Sequence, residues 1–280
     1  MTVLVPYDGS EQAQGALAAA GEKFPDRTLL LLYVLEPYAN HTEAGGHSSA
    51  GTDEAQERAE QLLAEGVDSL PDGVDVETAT RYGRPVHELV RFVEDKAVDQ
   101  IVMGSHGRDG TERLLLGSVA ETVVRRSSVP VTVVRRQPTS SPDRVLIPFD
   151  GSQESSRALS HAIDQYPGAE LTALYVTYPA SNPATPDKLS PGSVDAAETA
   201  AEAESILDVA KQTAETATAP VTVETTEGDP ARSIVSYSDA ERVDHIVMGS
   251  HGRDGLTRLL LGSVAETVVR RAATSVTVVR

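Results

Sequence analysis

Short runs of apolar residues alternate with longer stretches in which apolar residues recur at helical spacing, and this series runs twice along the chain. Each series opens on a continuous apolar run, at residues 3–5 and 145–147, which predicts a strand buried on both faces of a parallel sheet. Asp-Gly-Ser follows each run closely and marks a turn. We therefore expect a helix after each turn, with Ser10 and Ser152 as the N-caps.

The remaining elements follow the same order in both series. Four further strands are predicted over residues 28–35, 74–80, 100–103 and 131–135, and again over residues 171–176, 221–226, 245–248 and 276–280. Helices are predicted over residues 11–20, 52–66 and 118–126 and over residues 153–163 and 193–216, and two more start at Pro85 and Pro230. Strands that alternate with helices form right-handed parallel crossovers, so each half is predicted to be an open α/β sheet.

The duplication predicts two domains. A chain of 280 residues has room for two domains of ordinary size, and a stretch containing proline and serine, residues 137–143, separates the two series. We place the first domain at residues 1–137 and the second at residues 143–280. Long irregular segments follow the second strand of each domain, at residues 36–51 and 177–192, and loops of this length are often functional.

The closest internal repeat lies at the end of each domain. Residues 101–135 and 246–280 differ at six of 35 positions, whereas the rest of the two domains has diverged much further. Local gene conversion is one explanation. A purely structural requirement is normally met by looser apolar exchange, as at Tyr7 and Phe149. The near identity therefore favours a ligand-binding function for this stretch.

Glycines in the repeat have the spacing of an anion site. Gly104-Ser-His-Gly107 follows the fourth strand, and nine residues later Gly117-Ser118 begins a helix. Glycine lets backbone N–H groups approach an anion without a Cβ in the way, and a helix N-terminus favours phosphate. The pattern predicts a phosphate cradle at the carboxyl end of the sheet, where open α/β folds bind ligands. The second copy has the same spacing at Gly249, Gly252, Gly262 and Ser263.

Several of the candidates also have a structural explanation. Ser118 and Ser263 begin Ser-Val-Ala-Glu, which matches a capping box with serine as the N-cap. Asp8 and Asp150 fit either a ligand contact or an Asx turn. The side chains inside the cradle loops fit either contact with phosphate or exposure to solvent. These loop residues are His106, Arg108, His251 and Arg253.

The composition narrows the class of protein. There are 42 acidic and 24 basic residues, with a net charge of −18, so we expect no binding to nucleic acid. The absence of cysteine excludes disulfides and thiolate chemistry. No apolar run approaches the ~18 residues of a membrane span, and the N-terminus lacks the pattern of a signal peptide. We therefore expect a cytoplasmic protein without membrane attachment.

The acid excess also predicts a dependence of stability on salt. The chain has four lysines, and this balance is typical of proteins from a saline cytoplasm, where dense salt screens the repulsion between carboxylates. We infer an origin in a halophilic archaeon. The thermal unfolding midpoint is expected to rise from dilute buffer to molar potassium chloride. Equal midpoints in the two solutions would contradict the halophilic interpretation.

The glycine spacing resembles the ATP-binding signature of the universal stress protein family, Gly-x2-Gly-x9-Gly-(Ser/Thr), in its tandem two-domain form. The resemblance covers both halves of the chain. It implies two Rossmann-like domains of the adenine nucleotide alpha hydrolase-like type, each an open five-stranded parallel sheet in the order 3-2-1-4-5 with helices on both faces. Family members pair through their last strands, so the resemblance implies a pseudo-symmetric dimer within the chain, with a homodimer as a further option.

The same resemblance implies an adenine nucleotide as ligand, ATP first and AMP or ADP as alternatives. It places Asp8 and Asp150 by the ribose and the nucleotide, where they are candidate ligands for a nucleotide-bound Mg²⁺ or Mn²⁺. Three apolar residues in each half surround the nucleoside. They are Pro6 and Pro148 beside the aspartates, Val34 and Val176 at the adenine, and Met103 and Met248 at the ribose.

We therefore expect a nucleotide-binding stress-response protein that acts by recognition and signalling. The chain has no Walker lysine, and the cradle contains no lysine, so no enzymatic activity beyond weak ATPase is expected. One alternative is a slow ATPase or nucleotidyl-transferring enzyme, with Asp8 or Asp150 on the metal and His106 or His251 acting on phosphate or water. A second alternative is an interaction scaffold that uses its long loops and binds no nucleotide.

Overall fold

The computed structural model describes residues 1–36, 49–107, 116–135, 142–177, 196–216, 219–252 and 261–280. The chain forms two compact units, unit 1 at Met1–Ser141 and unit 2 at Pro142–Arg280. Most of the two long segments predicted at residues 36–51 and 177–192 lies outside the described residues. No helix in the described ranges is long and apolar enough to cross a membrane.

Unit 1 is a five-stranded sheet in the order β3-β2-β1-β4-β5, and its ladders are parallel. The predicted open α/β sheet and its strand order are confirmed. In chain order, its described elements are β1 (Thr2–Pro6), α1 (Glu11–Lys23), β2 (Thr28–Leu35), α2 (Ser49–Asp68), β3 (Val76–Tyr82), α3 (Pro85–Asp95), β4 (Gln100–Gly104), α4 (Ser118–Arg126) and β5 (Val131–Val134).

Unit 2 repeats this topology, with its strands in the order β8-β7-β6-β9-β10 and parallel ladders. Each strand therefore has the same neighbours as its counterpart in unit 1. Its described elements are β6 (Arg144–Pro148), α5 (Gln153–Gln165), β7 (Glu170–Thr177), α6 (Ala196–Thr216), β8 (Val221–Glu227), α7 (Pro230–Ala240), β9 (His245–Gly249), α8 (Ser263–Arg271) and β10 (Ser275–Val279).

The central strands are buried on both faces. Val3 and Val5 have no exposed surface and belong to one core cluster with Leu17 of α1. Leu4 points to the opposite face, because side chains alternate along a strand, and it is also fully buried. The edge strand β3, in contrast, exposes Glu77. The continuous apolar run of β1 is therefore explained by its place in the middle of the sheet.

The first helix of unit 1 is longer than predicted. The prediction ended it at Ala20, but α1 continues through Gly21 to Lys23. A Cβ on Gly21 would lie 2.6 Å from Leu70 Cδ2, so the glycine leaves room for a side chain beyond α2. Pro25 follows the helix shortly after its end. Tertiary packing here outweighs the local helix propensity.

Candidate functional site

The carboxyl ends of β1 and β4 lie side by side in the middle of unit 1. A cavity of about 570 Å³ opens there, a size typical of small-molecule sites. Nine of the ten site residues predicted in unit 1 line it: Pro6, Asp8, Val34, Met103, Gly104, His106, Gly107, Gly117 and Ser118. The tenth predicted residue, Arg108, lies outside the described residues.

Asp8 is oriented by the turn from β1 into α1. Its Oδ1 accepts hydrogen bonds from the backbone N–H of Ser10 at 3.0 Å and from Ser10 Oγ at 2.6 Å, which makes the Asx turn. Ser10 Oγ in turn accepts from the N–H of Ala13, so the predicted N-cap is confirmed. Asp8 Oδ2 faces the glycine cradle, because a Cβ on Gly107 would lie 2.6 Å from it. The turn therefore positions a carboxylate oxygen at the site.

A hydrogen bond brings the two glycine segments together. The N–H of Gly117 donates to the carbonyl of Ser105 at 2.7 Å, which holds Gly117 next to the Gly104–Gly107 segment. A Cβ on Gly117 would lie 3.1 Å from the Cα of His106, so a side chain at this position would press the two segments apart. Gly104, Gly107 and Gly117 therefore all lie beside the cavity.

The capping-box interpretation of Ser118 is wrong. The N-cap of α4 is Gly117, no described side chain caps the helix, and Ser118 is the first helical residue. Glu121, the other half of the expected box, instead pairs with Arg125 one turn later at 3.2 Å. The cavity is lined by the first three residues of α4, so their backbone amides lie beside it without a side-chain cap. This arrangement favours an anion.

The imidazole of His106 is buried, with 9% of the residue exposed, so the solvent-exposed alternative is wrong for this residue. Ser105 Oγ lies 2.9 Å from His106 Nδ1, and this contact orients the ring. In unit 2, Ser250 Oγ lies 3.0 Å from His251 Nδ1. His251 Nε2 is buried and has no hydrogen-bond partner among the described residues. A buried polar atom of this kind is normally satisfied by water or by a ligand.

The structure adds residues that the sequence analysis did not single out. The N–H of Gly83 donates to the carbonyl of Leu35 at 3.0 Å, which brings the start of α3 to the end of β2. Residues from both elements complete the cavity, among them Leu32, Tyr33, Glu36, Pro85 and Leu89. In the sequence, Pro85 indicated only the start of a helix, and no pattern indicated that Glu36 lines a cavity. Their contribution depends on contacts between segments far apart in the sequence.

Unit 2 repeats the cradle. Asp150 Oδ1 accepts hydrogen bonds from the N–H and the Oγ of Ser152, and a Cβ on Gly252 would lie 2.6 Å from Asp150 Oδ2. The N–H of Gly262 donates to the carbonyl of Ser250 at 2.8 Å, and Gly262 is the N-cap of α8 without a described side-chain cap. The other predicted residues lie at strand ends or the helix start: Pro148, Val176, Met248, Gly249 and Ser263. Arg253 lies outside the described residues.

Two charged residues act on His251 in unit 2. Burial is the main cause that lowers the pKa of the His251 imidazole, and the positive charge of Arg280 lowers it further. The carboxylate of Glu154 acts in the opposite direction and raises this pKa.

The described side chains do not form a metal centre by themselves. Within the described ranges there is no group of three His, Cys, Asp or Glu side chains that could hold a metal ion. Mg²⁺ is commonly bound by one or two carboxylates together with the phosphates of a substrate. Asp8 and Asp150 fit that arrangement only with a nucleotide as co-ligand, so metal binding stays a prediction.

Comparison with known proteins identifies relatives of both units. The sequence profile described as the universal stress protein family matches residues 1–135 and 142–280. A universal stress protein of Mycolicibacterium smegmatis is 28% identical over 296 aligned residues, covering 99% of this chain and 96% of the relative. A universal stress protein of Mycobacterium tuberculosis (strain ATCC 25618 / H37Rv) is 31% identical over 241 residues, covering 80% of this chain and 78% of the relative.

A solved structure has the same fold over the full length. The crystal structure of a universal stress protein from Archaeoglobus fulgidus superimposes with a TM-score of 0.75 at 28% sequence identity. The match covers 100% of this chain and 98% of the other.

Proposed function

The chain belongs to the universal stress protein family, a family of stress-response proteins, and from this membership we propose that it binds ATP in its glycine cradles. We further propose that it acts by recognition and signalling. The observation that carries the proposal is that Asp8 Oδ2, Gly107 and the start of α4 lie around one cavity. The proposal extends to unit 2 because its cradle has the same internal contacts.

The cavity divides into an apolar part and a polar part, which suits a nucleotide. Leu32, Val34 and Leu89 offer the apolar surface that a purine base requires. Asp8 can accept hydrogen bonds from ribose hydroxyl groups. The phosphates would lie against Gly107 and the N-terminal amides of α4, where the helix dipole stabilises negative charge.

The residues of the cradle favour binding over catalysis. None of the described residues that line the cavity is a lysine, and the ring of His106 is held at Nδ1 by Ser105. Phosphoryl transfer normally requires cationic groups or metal ions that stabilise the transferred phosphoryl. Mg²⁺ or Mn²⁺, when bound with the nucleotide, would neutralise phosphate charge, and Asp8 is the residue that would hold it. We propose no turnover beyond weak ATPase activity.

Calorimetric titration of the full chain with ATP and with adenosine tests this function, in molar salt and with Mg²⁺ present. We expect both ligands to bind. The double variant Asp8→Ala, Asp150→Ala is expected to lower both affinities by about tenfold to a hundredfold, because a hydrogen bond from a hydroxyl to a charged group contributes about 1.5–3 kcal/mol. The double variant Asp8→Asn, Asp150→Asn keeps an acceptor for the Asx turns, so its ligand affinities are expected to decrease less than those of the alanine variant.

The same samples separate the alternatives. Asp72→Ala is the control, since Asp72 is exposed and does not line the cavity. ATP turnover that depends on Asp8 and Asp150 would favour the slow ATPase or nucleotidyl-transferring enzyme. Failure of the wild-type chain to bind any adenine nucleotide would contradict the proposed function and favour the interaction scaffold.

A further inference from the structure

The two cradles differ in the first turn of the helix that packs behind them. Gln12 of α1 and Glu154 of α5 occupy equivalent positions. A Cβ on Gly104 would lie 2.8 Å from the backbone carbon of Gln12, and one on Gly249 would lie 2.8 Å from that of Glu154. In each unit, this helix residue is therefore in direct contact with the glycine from which the cradle loop starts.

Glu154 is an acidic residue in contact with Gly249, the glycine from which the unit 2 cradle loop starts. Its carboxylate interacts electrostatically with His251. A Cβ on Gly262, the N-cap of α8, would lie 3.4 Å from the Cα of His251. Glu154 thus acts on the histidine that lies next to the start of α8. The amide of Gln12 puts no charge at the equivalent position of unit 1.

Unit 1 carries a carboxylate one residue earlier, at Glu11, where unit 2 has Gln153. Glu11 is exposed, whereas Glu154 is partly buried. Water and salt screen an exposed charge more strongly than a partly buried one. The carboxylate of the first helical turn is therefore exposed to solvent in unit 1, whereas in unit 2 it belongs to the partly buried residue that contacts the cradle glycine.

A second charge difference lies at the N-cap of the helix that follows the third strand of each unit. Pro85 lines the cavity of unit 1, and the residue before it is Arg84, the exposed N-cap of α3. The equivalent N-cap in unit 2 is Asp229, also exposed, whose carboxylate accepts from the N–H of Arg232 at 3.0 Å. This N-cap position therefore carries a positive charge in unit 1 and a negative charge in unit 2.

From these two differences, and resting on the proposed nucleotide-binding function, we propose that the two cradles have different ligand preferences. Unit 1 is the high-affinity site for ATP. Unit 2 favours adenine ligands with little or no phosphate charge, and Glu154 and Asp229 set this preference. A carboxylate repels the phosphates of a triphosphate but not an uncharged nucleoside, and this repulsion is stronger in a partly buried site than in bulk water.

Calorimetry with a series of ligands of increasing charge tests the proposal. Gly107→Val and Gly252→Val each leave one cradle intact in the full chain, and both proteins are titrated with adenosine, AMP and ATP at low and high salt. We expect the unit 1 cradle to bind ATP about tenfold more tightly than the unit 2 cradle, which corresponds to about 1.4 kcal/mol. The difference is expected to shrink with AMP, to vanish with adenosine and to decrease with salt.

Charge variants then assign the preference to the named residues. In the Gly107→Val chain, Glu154→Gln with Asp229→Asn is expected to tighten ATP binding about fivefold and to leave adenosine binding unchanged. Asp229→Asn retains a side-chain oxygen for the cap of α7. In the Gly252→Val chain, Gln12→Glu is expected to weaken ATP binding about fivefold.

Equal ATP affinities of the two cradles, or a difference that is as large with adenosine as with ATP, would overturn the proposal. Charge variants that leave the ATP affinity unchanged would also overturn it. These outcomes leave ATP binding itself intact. A wild-type chain that binds no adenine nucleotide would instead contradict the proposed function. It would also contradict the proposal that the two cradles have different ligand preferences.

Discussion

Gly107→Val is expected to lower the affinity of the unit 1 cradle for ATP by about a hundredfold or more, equivalent to about 2.7 kcal/mol, while the fold stays intact. A Cβ on Gly107 would lie 2.6 Å from Asp8 Oδ2, so valine must displace the carboxylate and occupy the cradle. The conflicting atom is the end of a side chain, and the backbone of Gly107 is not in the left-handed region. The substitution is therefore expected to reduce ligand affinity and not the stability of the fold. Calorimetry measures it, with Gly252→Val as the counterpart in unit 2.

The control for this prediction is Gly168→Val, because a Cβ on Gly168 would have no neighbour within 4 Å. This variant is expected to bind ATP like the wild type. Thermal unfolding of all three variants checks that the fold is retained. If the double variant Gly107→Val, Gly252→Val bound ATP with the affinity of the wild type, neither glycine would belong to the binding site.

Gly104→Ala is expected to destabilise unit 1 by about 1–3 kcal/mol, the usual cost of adding a methyl group to a tightly packed place. A Cβ there would lie 2.8 Å from the backbone carbon and from the carbonyl oxygen of Gln12. These are backbone atoms of α1, so relief requires a shift of the helix against the sheet. Urea unfolding of the full chain, followed with a probe in each unit, measures the change.

Gly249→Ala is the matched variant in unit 2, where the Cβ would lie 2.8 Å from the backbone carbon of Glu154. It is expected to lower the unfolding free energy of unit 2 by a similar amount, about 1–3 kcal/mol. Unchanged unfolding midpoints for Gly104→Ala together with lost ATP binding would show that this glycine serves the ligand and not the packing.

These two predictions assign different roles to the glycines of one motif. The spacing alone suggested that Gly104 and Gly107 serve the ligand together. In the structure, Gly104 lines the cavity but also allows β4 to pack against α1, whereas Gly107 faces Asp8. A motif that matches a binding signature therefore contains a packing requirement as well, and the two are separable by stability and affinity measurements.

The alternating elements could be predicted because their signals are local. The continuous apolar run of β1 follows from burial on both faces, and Ser10 caps α1 through a bond that spans only three residues. The prediction for Ser118 failed because Ser-Val-Ala-Glu fits two starting points of a helix. The bond from Gly117 to Ser105 and the first helical bond, from Glu121 to Gly117, place the start one residue earlier.

The amino-acid sequence was sufficient for the fold class, the duplication and the position of the cradle, since hydrophobic periodicity and glycine spacing extend over short stretches of chain. Only the folded units reveal that Gly104 meets Gln12, that Gly107 meets Asp8, and that Glu154 acts on His251. Each of these contacts joins residues far apart in the chain. Their distances, and with them the charge of each cradle, are set by the packing of helices on the sheet.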